Sequence, residues 1–199
     1  MQRTKKIAIY FDMMDTLFKD PFPSAAKTCA GSMSSFLKYI KEGNYIDFET
    51  GDIDEEEYLT RFFKSSITRQ QAPFTAHDFK AELMKTPPIP GERMSLLNRL
   101  KKTYFLGLAS NYGPWASEHL KNVDLQGFFD VEHISWQMRC RKPAPQYYEL
   151  VRSGTDFETM YFIDDRNENC EAAEEAGFIA IQAVAGWEEE LVYLLGINF

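Results

Sequence analysis

Five short apolar runs rich in β-forming residues recur along this chain, and most of them are apolar at nearly every position. The runs are Ile7–Phe11, Tyr104–Ala109, Val131–Ile134 (the weakest), Met160–Ile163 and Phe178–Ile181. A continuous apolar run bounded by polar residues predicts a strand buried on both faces, as in a parallel sheet. Helical patterns such as Glu92–Lys102 and Asn167–Ala176 separate the later runs. This alternation predicts an α/β fold, which we expect to be a three-layer, Rossmann-like parallel-sheet core.

One long segment, residues 18–88, breaks the alternation because it contains helix signals and no strand-like run. Asp54 followed three residues later by Glu57, for example, is typical of a helix N-terminus. A Pro-rich stretch at the end of the segment cannot continue a helix and predicts a linker. We therefore predict that residues 1–17 and 89–199 form the α/β core and that residues 18–88 are an all-helical cap inserted after the first strand.

Composition excludes several classes of partner. The formal net charge is -8 and no Lys/Arg cluster stands out, so we expect no nucleic acid partner. The cysteines are Cys29, Cys140 and Cys170, which contain no CxxC pair and indicate reduced thiols rather than a disulfide framework or a zinc site. The first apolar run is too short for a signal-peptide core, and no stretch approaches the ~20 apolar residues of a membrane span. We expect a cytoplasmic protein with no membrane partner.

Polar side chains follow the predicted strands at their carboxyl ends, the edge at which open parallel sheets bind ligands. These residues are Asp12, Ser110, Asn111, Lys142, Asp164 and Asp165. Converging carboxylates repel one another unless a cation lies between them, and oxygen ligands without His or Cys favour Mg²⁺. A carboxylate beside Mg²⁺ can attack phosphorus, while the metal and a lysine neutralise the transferring group. The set therefore predicts a magnesium site that carries out phosphoryl transfer.

Four segments of the chain resemble the motifs of the haloacid-dehalogenase (HAD) superfamily, in the order in which that family has them. They are IAIYFDMMDTLF, in which the family has a strand ending in DxDxT, then LGLASNYG, RKPAPQYYE and YFIDDRNENCEAAEEAGF. One such motif is a weak signal, but four in order, each at or soon after a strand exit, are specific. The predicted helical insertion also lies where the family places a cap over the active site.

The resemblance implies a catalytic role for several residues. Asp12 would be the nucleophile, and Lys142 would balance its charge and that of the phosphoryl group. Ser110, with Asn111 beside it, would bind the phosphoryl oxygens. The implied activity is the Mg²⁺-dependent hydrolysis of a small phosphorylated metabolite through an aspartyl-phosphate.

The resemblance also implies a set of magnesium ligands. Asp12 and Asp164 would ligate the metal, Asp165 would do so directly or through water, and Met14 would offer its backbone carbonyl. We also expect one of these two acids, Asp164 or Asp165, to cap the helix that follows them, which is compatible with metal ligation by one of them.

Met14 is the one departure from the family pattern, because phosphatases of this kind usually carry an Asp there that protonates the leaving oxygen. Met cannot transfer a proton, and loss of general acid-base help costs about 10²–10⁴ in rate. Asp15 is adjacent, but neighbours on an extended exit point to different sides, so we do not expect it to substitute. Three alternatives stay open: another group, for example from the cap, supplies the proton; the substrate has a good leaving group; or catalysis is weakened and the fold binds a ligand or partner.

Dehalogenation is a less favoured alternative. The haloacid dehalogenases of the superfamily work without a metal, lack paired acids such as Asp164 and Asp165, and use an arginine early in the cap. This chain has no Arg between Arg3 and Arg61. The sequence does not define the substrate or the oligomeric state.

Overall fold

The computed structural model describes residues 6–41 and 43–197. Within them, five parallel strands form one sheet in the order β3-β2-β1-β4-β5. The strands are β1 (Ile7–Phe11), β2 (Phe105–Ser110), β3 (Val131–Ile134), β4 (Thr159–Asp164) and β5 (Ile179–Gln182). All five predicted strands are present, and the bounds of β2, β4 and β5 differ from the prediction by one residue. Because β1 is central, the residue that follows it lies between the ends of β2 and β4.

Helices connect the strands. Those between β1 and β2 are α1 (Phe22–Ala30), α2 (Met33–Tyr39), α3 (Gly43–Glu49), α4 (Glu55–Thr60), α5 (Ser66–Gln71), α6 (Ala76–Leu83) and α7 (Gly91–Lys101). Those after β2 are α8 (Ala116–Asn122), α9 (Ser135–Met138), α10 (Pro145–Arg152), α11 (Asn167–Glu175) and α12 (Trp187–Leu194). Every helix in the described part of the chain falls short of the length and apolarity that a membrane span requires.

Both faces of the sheet are covered, which confirms the three-layer α/β fold. Tyr10 of β1 packs with Phe178 in a cluster that also contains residues of α10 and α11. Phe11, the next residue along β1, packs with Trp187 at the start of α12, in a cluster that includes α7 and α8. Successive side chains of a strand point to opposite faces, so both faces of β1 are buried. This is why its sequence is apolar at every position.

Aromatic side chains of helices α1–α6 pack against one another, in a cluster that continues to Trp115. Phe36 is fully buried, and its ring centroid lies 4.8 Å from that of Phe79 and 5.3 Å from that of Phe74. Asp54 caps α4 as predicted, since its side chain accepts a 2.8 Å hydrogen bond from the N–H of Glu57. All six helices lie within the predicted 18–88 segment, but its status as a separate cap remains a prediction.

Gly107 of β2 provides a test of how tightly the sheet packs. It is the register partner of Tyr10, and a Cβ added at Gly107 would lie 2.3 Å from the buried Tyr10 ring. We expect Gly107→Ala to lower the free energy of unfolding by about 1–3 kcal/mol, measured by urea denaturation, because the ring has to move. Gly91→Ala is the control, since a Cβ there meets nothing within 4 Å. Equal stability of the two variants would contradict this packing.

Candidate active site

The buried side chain of Lys142 forms hydrogen bonds to residues at the carboxyl ends of three strands. The Lys142 ammonium donates to Asp12 Oδ1 at 2.8 Å, to Asp164 Oδ2 at 2.5 Å and to the carbonyl oxygen of Ala109 at 2.7 Å. These three bonds use all the donors that an ammonium has. Burial lowers the pKa of Lys142, but the charges of Asp12 and Asp164 outweigh burial and raise this pKa above its ordinary value. Lys142 is therefore a fixed cation next to the residue that follows β1.

Asn111 fixes the backbone of this lysine. The N–H of Lys142 donates to Asn111 Oδ1 at 2.9 Å, and Asn111 Nδ2 donates to the Lys142 carbonyl oxygen at 2.9 Å. The side-chain amide of Asn111 is thus engaged with Lys142 on both of its polar atoms. Ser110, the last residue of β2, is buried beside it.

Asp164, the last residue of β4, has bonds to both of its carboxylate oxygens. Oδ1 accepts from Asn169 Nδ2 at 2.8 Å and from the N–H of Arg166 at 3.0 Å, while Oδ2 accepts from Lys142. The expectation that Asp164 or Asp165 caps the following helix is wrong, because the N-cap of α11 is Arg166 and no side chain caps it. The Asp164 carboxylate turns toward Lys142 instead.

Negative charge exceeds positive charge at this edge. Burial raises the pKa of Asp12 to about 6; Lys142 opposes this rise, and Asp164 and Asp165 add to it. A bound cation would relieve that repulsion. No cluster of three Asp, Glu, His or Cys side chains suited to a metal occurs among residues 6–41 and 43–197. A magnesium site here would therefore combine the Asp12 and Asp165 carboxylates with the backbone carbonyl of Met14 and water, a ligand set that Mg²⁺ accepts.

A cavity of about 350 Å³ opens over these residues. Its inner wall, at the edge of the sheet, is mostly polar and contains Asp12, Met14, Ser110, Asn111, Lys142 and Asp165. Its outer wall comes from the helical segment and is largely apolar, with Phe22, Leu37, Ile40, Tyr45, Tyr58 and Phe62. The cavity thus brings together every site residue predicted from the sequence except Asp164, which is completely buried.

The backbone just after β1 differs from the extended exit expected from the sequence. Asp15 has φ 54°, in the left-handed region, so the argument from alternating sides is wrong. The Asp15 carboxylate is instead exposed and accepts a 2.9 Å bond from Lys19 Nζ. That ion pair gives a different reason for not expecting Asp15 to replace the acid missing at Met14.

The sequence did not predict that His119 supports the cavity wall at Tyr112. The Tyr112 hydroxyl lies 2.8 Å from His119 Nε2, and His119 Nδ1 lies 2.7 Å from Thr86 Oγ1. His119 is fully buried, and burial lowers its pKa to about 4. The available signal was weak, because a histidine within a helix is not distinguished from an exposed one until its neighbours are known.

Acid should weaken the fold through His119. The unfolded chain protonates this histidine near pH 6.5 and the native chain near pH 4, so stability present above pH 6.5 is lost as the pH falls toward 4. Between pH 7 and pH 5 we expect the free energy of unfolding to fall by about 2 kcal/mol less in His119→Gln than in the natural sequence. Denaturant unfolding at the two pH values measures this difference. An identical fall in both proteins would contradict a buried neutral His119.

The parallel sheet and the cluster of Lys142, Asp12 and Asp164 place the chain in a class of α/β enzymes with a carboxylate and a lysine at the carboxyl edge of the sheet. The profile of the haloacid dehalogenase-like hydrolase family matches residues 9–183, most of the chain. The chain therefore belongs to the haloacid dehalogenase-like hydrolases, which confirms the family expected from the four motifs.

The chain is similar to a named hydrolase and to solved structures of HAD family proteins. The Arabidopsis thaliana protein named flavin mononucleotide hydrolase 1, chloroplastic, is 30% identical over 187 residues, which cover 89% of this chain and 72% of the relative. A HAD-like hydrolase structure from Porphyromonas gingivalis has a TM-score of 0.73 at 22% identity, with 96% of this chain and 98% of that one covered. A HAD family enzyme from Bacteroides thetaiotaomicron, in complex with magnesium and inorganic phosphate, has a TM-score of 0.68 at 20% identity, covering 90% and 94%.

Proposed function

We propose that this chain is a phosphatase that hydrolyses a phosphomonoester with Asp12 as the nucleophile. The observation that carries the proposal is the 2.8 Å bond between Asp12 and the buried ammonium of Lys142 in the floor of a cavity. This bond fixes one carboxylate oxygen and leaves a cation beside the position at which a phosphoryl group would lie. Preorganised charge of this kind is how enzymes stabilise phosphoryl transfer.

Each of these residues has a separate role in the proposed reaction. An Asp12 oxygen bonds to phosphorus as the bond to the leaving oxygen breaks, and water then releases phosphate and restores the carboxylate. Lys142 balances the negative charge of both steps. The buried hydroxyl of Ser110 donates to a phosphoryl oxygen, while Asn111 holds the backbone of Lys142 in place.

Mg²⁺ is the proposed cofactor, and the excess of negative charge around Asp12 supports it. When bound, it supplies further positive charge to the phosphoryl group. We assign its direct ligands as Asp12, Asp165 and the carbonyl of Met14. The sequence resemblance gave Asp164 the same role, but Asp164 is fully buried outside the cavity lining and accepts three hydrogen bonds, so we assign it to positioning Lys142.

The substrate we propose combines a phosphate with an aromatic or apolar group. The inner wall of the cavity is polar, and the outer wall presents rings such as Phe22, Tyr45 and Tyr58. A cap of residues 18–88 would supply these rings. Flavin mononucleotide has both parts, and the Arabidopsis relative is named as a hydrolase of that compound. The expected cytoplasmic location and absence of a nucleic acid partner remain predictions.

A weakened enzyme that binds a ligand or partner is the second candidate. It is favoured by Met14, which lines the cavity and provides no proton for a leaving group. An activity assay with a substrate whose leaving group needs no proton separates a site with a working nucleophile from a site that only binds.

Nitrophenyl phosphate is such a substrate, because nitrophenolate is a stable anion. We expect turnover that requires Mg²⁺, is abolished by a chelator and falls by at least about 10³-fold in Asp12→Asn, since a carboxamide is a poor nucleophile. Release of nitrophenolate is followed spectrophotometrically. Asp52→Asn, which alters an exposed acid outside the cavity lining, is the control for a general effect of charge.

The outcomes distinguish the two candidates. Turnover equal to that of Asp12→Asn would overturn the phosphatase proposal and favour binding, which calorimetric titration with Mg²⁺ and flavin mononucleotide would then measure. If turnover occurs, flavin mononucleotide should be hydrolysed with a higher kcat/KM than glycerol phosphate, which has no ring. A preference for glycerol phosphate would contradict the substrate class.

A further inference from the structure

Glu49 is a buried acid in the cavity wall that the proposed reaction does not use. It is the last residue of α3 and is 5% exposed. Its Oε2 forms a 3.2 Å ion pair with Arg141 Nε, but neither atom makes a hydrogen bond. A buried carboxylate oxygen without a hydrogen bond costs stability and is rare in native proteins. Because Glu49 lines the cavity, this oxygen has a hydrogen-bonding site open to a bound substrate.

The position of Glu49 is fixed relative to the catalytic edge of the sheet. Its carbonyl oxygen accepts a 2.6 Å hydrogen bond from Ser135 Oγ, and the same Ser135 Oγ accepts a 3.0 Å bond from the N–H of Tyr112. Tyr112 lies two residues after Ser110, the last residue of β2. The end of α3 is therefore held against the loop that directly follows Ser110.

Other acids in the cavity wall are less suited to proton transfer. Asp15 is exposed and paired with Lys19. Burial also raises the pKa of Asp20, but its Oδ1 already accepts a 2.9 Å bond from the N–H of Phe22, and the residue is less buried than Glu49. Glu49 combines deep burial with an oxygen that has no hydrogen bond, so it is the strongest candidate.

We infer that Glu49 is the general acid and base that supplies the proton Met14 cannot supply. The inference depends on the proposed phosphatase activity. When an Asp12 oxygen bonds to phosphorus and the bond to the leaving oxygen breaks, that oxygen keeps the electron pair and takes the Glu49 proton. Water then attacks phosphorus, one of its protons returns to the Glu49 carboxylate, and the bond from phosphorus to Asp12 breaks to release phosphate.

The surroundings of Glu49 determine its pKa, which has to allow the carboxyl group both to donate and to accept a proton. Burial raises the pKa of Glu49, while Arg141, and after it Arg166 and Lys142, lower it. The raised pKa favours the protonated form more than in an exposed glutamate. The phenols of Tyr45 and Tyr112 also face this region, and burial raises the pKa of both well above its ordinary value, so they stay neutral.

The test compares two leaving groups in Glu49→Gln. Nitrophenolate leaves without a proton, whereas the alkoxide of phenethyl phosphate needs one, and both substrates carry a ring. We expect kcat/KM for phenethyl phosphate to fall by about 10²-fold or more, with a much smaller change for nitrophenyl phosphate. The fall of phenethyl phosphate turnover at alkaline pH should also disappear in the variant. Glu49→Asp, which keeps a carboxyl group, should retain more phenethyl phosphate turnover than Glu49→Gln.

Asp20→Asn is the matched control because it neutralises the competing acid in the same wall. Equal losses on both substrates in Glu49→Gln, or no loss, would overturn the inference and leave Glu49 as an ion-pair partner of Arg141. A loss selective for phenethyl phosphate in Asp20→Asn alone would give the role to Asp20. If the natural sequence hydrolyses nitrophenyl phosphate but not phenethyl phosphate, no general acid operates, and the inference is overturned. Absence of both would refute the phosphatase proposal itself.

Discussion

The bridge from the Lys142 ammonium to Asp12 and Asp164 is the interaction on which the site depends. A buried lysine is costly unless its donors are satisfied, and here two carboxylates and the carbonyl of Ala109 satisfy all three. The bridge requires that β1, β2 and β4 end at the same edge, which the strand order provides by placing β1 between the other two. The strand order therefore determines both the parallel sheet and the position of the charged cluster at its carboxyl edge.

Much of this arrangement could be predicted from the sequence because it depends on local signals. Apolar runs such as Ile7–Phe11 define buried strands, and the polar residues directly after them must lie at the carboxyl edge. The roles of the two acids after β4 were harder to separate, because adjacent carboxylates look equivalent in a sequence. In the structure Asp164 is engaged with Lys142, while Asp165 lines the cavity.

Features that depend on contacts distant in sequence could not be predicted. Nothing in the sequence around Glu49 shows that it is buried beside the catalytic edge, since Ser135 and Arg141, which contact it, lie more than 80 residues away. The left-handed backbone at Asp15 was missed for a related reason, because an Asp after a strand is compatible with several exits. These features bear on how Met14 is interpreted. The acid that is missing at Met14 is accompanied by a buried acid, Glu49, in the helical segment.

The most direct test of the account is to trap the covalent intermediate. The enzyme would be mixed with nitrophenyl phosphate and Mg²⁺, quenched during turnover and treated with borohydride, which reduces an acyl phosphate to an alcohol but leaves a free carboxylate unchanged. Mass spectrometry of the peptide that contains Asp12 then reports whether its carboxyl group was phosphorylated. The account predicts reduction at Asp12 and none in Asp12→Asn or without substrate. Turnover without reduction at Asp12, or with reduction at another carboxylate, would contradict it.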